Sequence, residues 1–190
     1  MTYYGGKELA ASFRTVRKNT VQIAEDIPEN QYDFKPSPES RTIRQTLAHI
    51  AVATTFPTML HGERIPIEKI DFGEYMKKVG AEEAKPRTKA EIVALLKDSG
   101  EKFAAMLESL EEPFFSEVIT FRPGAEPPSR TRFDMLLAAK EHEMHHRAQL
   151  MLMERMIGIV PHLTRAAQER MARFQSQQAT QDAQKAPAAR

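Results

Sequence analysis

Four stretches in which apolar residues recur every three or four positions, parted by segments dense in proline and glycine, limit this chain to a helical architecture. The first runs from about Lys7 to Asp26, with Ala10, Phe13, Val16, Thr20, Ile23 and Ile27 on one side and Arg14, Arg17 and Lys18 on the remaining surface. Pro28 and the proline-rich segment behind it end that helix. A second begins near Thr42, where Thr42 and Gln45 have capping-box spacing, and carries Ile43, Leu47, Ile50 and Thr54. It is expected to kink or end at Pro57 and to stop by Gly62. A third starts at the box formed by Thr88 and Glu91 and runs to about Leu110. The fourth, capped by Thr131 and Asp134, reaches about Ile157 before Gly158 and Pro161.

The connections are long. Gly62 to Pro86, interrupted by Pro66, Gly73 and Gly80, reads as a loop with a short helical turn. Glu111 to Arg130, with a short alternating piece at Glu117 to Phe121, reads as a crossover returning along a bundle. A helical pattern resumes after Pro161 through Leu163, Ala166 and Phe174. From Gln175 the chain turns to Gln, Ala, Thr and Lys, and disorder is expected there. The domain reading is thus a bundle over residues 1–161 and an extension over 162–190, partly helical and then disordered.

Composition removes several function classes. With 27 basic and 26 acidic residues the net charge is +1, which gives no global drive toward nucleic acid or an anionic membrane. No stretch is apolar enough to span a bilayer and the first residues carry no secretory signal, so a cytoplasmic location is expected. There is no cysteine, so the chain supplies neither a thiolate ligand nor a nucleophilic thiol. A metal, if bound, rests on His, Asp or Glu.

Three of the six histidines fall in Glu141 to Gln149, E-H-E-M-H-H-R-A-Q. His142 and His146 stand four apart and project from one face of a helix, the spacing of a ligand pair. A third ligand is wanted, and His49, mid-helix on an apolar surface, is the natural candidate. His145 lies off that face, Gln149 is placed to orient a ligand or water, and His61 and His162, near helix ends, read as surface. The same letters satisfy H-E-x-x-H, with Glu143 as base, yet Leu152 and Arg155 occupy the positions where the metzincin extension needs Gly and His. Each histidine also has a plain reading as a hydrogen-bonded core or surface residue. The fourth helix has two apolar stripes, one through Met135, Ala139, Leu150 and Met153 and one through Phe133, Leu137, Met144, Ala148 and Met151. The second suggests a homodimer interface.

The run H-E-x-H-H-R-x-Q, His142 to Gln149, and T-I-R-Q-T-L-A-H-I, Thr42 to Ile50, following Y-D-F-K-P-S-P-E-S, Tyr32 to Ser40, resemble the DinB-like family. The resemblance covers about Leu9 to Pro161 and departs from the family's usual H-H-R-G-Q at Ala148. It implies an all-α four-helix bundle of up-down-down-up type, often dimeric, with a divalent metal on His49, His142 and His146. Three imidazoles suit zinc or nickel foremost, with iron and copper as alternatives. The resemblance further implies a small-molecule substrate and a metal-dependent transferase using a low-molecular-weight thiol. The alternatives are a non-catalytic dimeric metal-binding protein and a hydrolase with Glu143 as base.

Overall fold

The computed structural model describes residues 4–185. Its helices are α1 (Gly6–Asp26), α2 (Ile43–Ala53), α3 (Thr55–Pro57), α4 (Phe72–Ala84), α5 (Lys89–Ser109), α6 (Glu112–Ser116), α7 (Arg132–Met156) and α8 (His162–Lys185). A two-stranded antiparallel ribbon, β1 (Val118–Thr120) and β2 (Ser129–Thr131), puts Ile119 opposite Arg130 on the way into α7. Four of the helices, α1, α2, α5 and α7, form an up-down-down-up four-helix bundle. Helix α1 packs mainly on α5 and α7, and α2 on α5, α4 and α7, so the two helices that are consecutive in the bundle face each other across it. Long connections make that order possible, because a short loop between α1 and α2 would force them to be neighbours.

The helix starts follow the local chemistry. Thr42 accepts from Gln45 N and Thr88 from Glu91 N, each in a reciprocal capping box, and Thr131 accepts from Asp134 N. Two apolar clusters fill the bundle. One gathers Ile23, Ile27, Tyr32, Ile43, Leu47, Ile92, Leu96 and Leu150 at one end, and the other gathers Leu9, Phe13, Phe103, Leu107 and Leu136 at the opposite end. Between them lies a polar layer built around Arg17.

Three expectations are corrected by the structure. The stretch read as a loop holds the 13-residue helix α4, capped by Asp71, whose side chain accepts from Glu74 N at 3.0 Å. Gly73 and Gly80 inside it lower its helix propensity, and Val79 is its single buried residue. The extension is helical to Lys185, past Gln175 where disorder was expected, because Gln and Ala are good helix formers even over the exposed stretch from Ala167 to Gln181. Residues 186–190 lie outside the described residues. Arg17 and His61, read as surface, are 4% and 1% exposed. The kink or end expected at Pro57 is found: α2 stops at Ala53, α3 ends at Pro57 and a π-helical turn over Thr58–Gly62 closes the stretch. Among the described residues, no helix is long and apolar enough to cross a membrane.

Candidate metal centre

His142 and His146 lie one turn apart on α7, and His49 projects from α2, the neighbour of α7 in the bundle. The Nε2 atom of His142 stands 3.1 Å from Nε2 of His49 and 3.1 Å from Nε2 of His146. One ligand atom from each of the three fits within 4.8 Å of the others. The sequence-predicted trio is therefore brought together, with His49 and His142 half-buried and His146 buried.

The outer nitrogens of His49 and His146 are fixed. His49 Nδ1 lies 2.6 Å from Glu83 Oε1, and His146 Nδ1 lies 2.8 Å from Gln149 Oε1. Both partners accept, so each ring donates its Nδ1–H and turns a bare Nε2 lone pair inward. The Gln149 orientation is supported by its amide nitrogen, which lies 3.1 Å from His145 Nε2. Two inward lone pairs cannot satisfy each other, and a proton on His142 Nε2 can serve only one of them. A cation satisfies all three. Two nitrogens bound tetrahedrally at about 2.0–2.1 Å to one ion stand about 3.3 Å apart. The observed separations are close to that.

Burial favours the uncharged ring at His142 and His146. Burial, then the neighbouring His146 and His49, push the His142 pKa down to about 4. His146 is likewise held below its ordinary value by burial, partly offset by Gln149. Burial pushes Glu83 up, but Arg41, which donates from Nε at 2.9 Å, and His49 more than reverse it, so the carboxyl stays ionised.

Glu143, the alternative base, faces into the bundle. Arg17 grips it through Nε at 2.9 and 3.1 Å and Nη2 at 2.9 Å, and Thr20 donates to Oε1 at 2.7 Å. Arg17 also donates to Leu96 O at 2.7 Å and Ser99 Oγ at 2.9 Å, so the pair is fully hydrogen-bonded. This arrangement ties α7 to α1 and α5 one residue from His142. Sequence reading missed Glu83, hidden in the unrecognised α4, and Arg17, whose partner is 126 positions away. The four-residue step from Val79 to Glu83 is the signal that could have placed Glu83 on the inner face of a helix.

Two cavities flank the histidines. The first, about 320 Å³, is bordered by His49 and His142 and walled largely by apolar and aromatic side chains, among them Phe56, Phe72, Tyr75 and Met135. The other, about 580 Å³, is bordered by His146 and Gln149 and includes Ser40, Arg41 and Glu39.

The description of the DinB superfamily matches residues 12–150, which include all three histidines. The chain belongs to the DinB superfamily. It is 27% identical over 153 residues to the uncharacterized protein YjoA of Bacillus subtilis, covering 80% of this chain and 90% of that one. The crystal structure of YjoA, described as DinB-like, superposes with a TM-score of 0.60 at 23% identity, over 80% of this chain and 92% of that one. YfiT of Bacillus subtilis, described as a probable metal-dependent hydrolase with an unusual four-helix bundle topology, gives a TM-score of 0.62 at 17% identity, over 84% and 91%. These DinB-like structures share the fold found here.

Proposed function

We propose that this DinB-superfamily chain holds a divalent metal on His49, His142 and His146 and serves as a metal-dependent transferase acting with a low-molecular-weight thiol. The observation that carries the metal reading is the convergence of three imidazoles, of which His49 and His146 have their tautomers set from outside by Glu83 and Gln149. Zinc or nickel suits three neutral imidazoles best, with iron and copper as alternatives. A divalent ion supplies Lewis acidity, which makes a small thiol acidic enough to react as thiolate near neutral pH.

The chain's own residues favour a nucleophile from outside. Glu83 and Glu143 are each engaged by an arginine and act as supports. The chain has no cysteine. The polar cavity beside His146 offers Arg41, Ser40 and Gln149 to the charged body of a small thiol, while the apolar cavity beside His142 receives a second, less polar reactant. Hydrolysis is the second reading. Its support is the likeness to YfiT, and the engagement of both Glu143 oxygens counts against that residue as its base. A homodimer through α7 belongs to the same proposal. Of the stripe read from the sequence, Phe133, Leu137 and Met151 pack against the bundle core, while Met144, 40% exposed, joins Leu152 and Met156, 58% and 51% exposed, in an apolar surface suited to a second copy.

Elemental analysis of the purified chain and of His49→Ala tests the metal reading, with loss of bound metal expected in the variant. Full retention removes His49 from the site. Turnover is then screened with several thiols against an electrophile panel and, separately, with ester and amide substrates. Hydrolysis without thiol dependence replaces the transferase reading.

A further inference from the structure

The exposed face of α7 is complementary to itself. Glu141, Met144, Ala148, Leu152 and Arg155 are all exposed and recur at steps of three and four, so they form one stripe about 21 Å long on the solvent side of the helix. The stripe is balanced about Ala148. Met144 and Leu152 stand four residues before and after it, and Glu141 and Arg155 stand seven before and after. In an isologous pair of antiparallel helices with its two-fold axis beside Ala148, a residue n positions before Ala148 in one copy lies level with the residue n positions after it in the other. Apolar then meets apolar, and Glu141 meets Arg155 at both ends. A register shifted by one turn sets Glu141 level with Met151 or Ile159 instead.

Both charges are open to such a partner. Among the described residues neither forms an ion pair: Arg130 is held by Asp134 at 2.5 Å, and the Arg155 guanidinium donates to Met151 O at 2.8 Å and Thr164 Oγ1 at 2.9 Å. A side chain as small as Ala148 at the crossing lets the helix axes approach to about 8 Å, the near end of the usual range.

The same pairing reaches the polar cavity beside His146. Gln149 and Leu152 border that cavity. In helical projection Leu152, His145 and Gln149 lie about 40°, 60° and 100° from Ala148, all on one flank of the stripe. A two-fold axis perpendicular to the plane of the two helices keeps like flanks together, so His145 of one copy comes beside Leu152 of the other, at the mouth of its cavity.

We propose that two copies of this chain pair through α7, antiparallel about Ala148 with Glu141 against Arg155 at both ends, and that each copy sets its His145 at the mouth of the other's polar cavity. This register rests on the homodimer reading and specifies it. The cavity assigned to the thiol is then completed by the second copy.

Light scattering of the full chain over a dilution series tests assembly, and a dimer is expected. Glu141→Arg or Arg155→Glu alone sets like charges together at both ends of the interface and should raise the dimer's dissociation constant about tenfold or more. The two substitutions combined should restore it. Ala148→Cys puts the chain's only thiol at the axis, where Cα atoms about 4–7 Å apart let it bond to its own counterpart. It should oxidise to a disulfide dimer faster than Ala179→Cys, at an exposed position on α8. In wild type mixed from isotope-labelled and unlabelled copies, filtered nuclear Overhauser contacts should join His145 ring protons of one copy to Leu152 methyls of the other, a readout that needs no variant. A dimer in which Ala148→Cys crosslinks no faster than the control, the combined charge exchange fails to restore assembly, or those contacts are missing overturns this register and leaves the homodimer reading standing. A monomer at every concentration overturns both.

Discussion

Replacing Arg17 by methionine should cost this bundle a large part of its stability, and the structure says how much. Arg17 and Glu143 are 4% and 2% exposed, and the carboxylate receives three guanidinium contacts and one from Thr20. Arg17→Met leaves a buried carboxylate with one hydroxyl. Breaking one side of such a pair costs about 3–5 kcal/mol, against a total of roughly 5–15 kcal/mol for an ordinary domain. Removing both charges, as Arg17→Met with Glu143→Leu, should return stability to within about 2 kcal/mol of wild type, since the desolvation penalty goes with the pair. Urea denaturation followed by circular dichroism at neutral pH measures all three states. Gly100→Ala approaches the same pair from behind. A methyl there would stand 2.6 Å from Arg17 Cγ and 2.9 Å from Nη1. The variant should lose about 1–3 kcal/mol, where helix propensity alone would add about 1 kcal/mol. Loss below about 1 kcal/mol in Arg17→Met, or a double variant as unstable as the sum of its singles, refutes the buried-pair reasoning.

Two further perturbations test the surroundings of the site and the far end of α7. Glu83→Gln weakens the acceptor that holds His49 Nδ1–H, and zinc affinity by chelator competition should fall about 10–100-fold; an unchanged affinity means the carboxylate does not orient that ring. Glu154 is 0% exposed with no partner for either oxygen, and burial, then Asp26, push its pKa up from 4.5 to about 7. The folded state therefore binds the proton more tightly than the unfolded chain, so this group's contribution is most favourable below pH 4.5 and is lost as pH rises through 7. Glu154→Gln should be more stable than wild type by roughly 3 kcal/mol near pH 8 and nearly equal near pH 4.5; the same difference at both pH values removes ionisation as the cause.

The parts of this molecule legible in its sequence share one property: their signal is local. Thr42 with Gln45, Thr88 with Glu91 and Thr131 with Asp134 announce helix starts within four residues. His142 and His146 announce half a ligand set within five, and His49 stands out because an imidazole on an apolar stripe needs a partner. The parts that were not legible are the partners. Arg17 looks like any arginine on a charged face until the bundle order brings α7 against α1, and Glu143 then turns from a candidate base into its counter-charge. Glu83 reaches His49 from 34 positions away, on a helix whose glycines and single buried residue conceal it. His61 is buried because α3 and the π-helical turn fold it back toward Arg132, 71 positions on. In each case the long connections that allow consecutive bundle helices to lie opposite one another also separate a buried polar group from what satisfies it. The histidine pair on α7 can therefore be found from spacing alone, whereas the tautomers that turn the lone pairs of His146 and His49 inward follow from Gln149 and Glu83, and so depend on the fold closing around them.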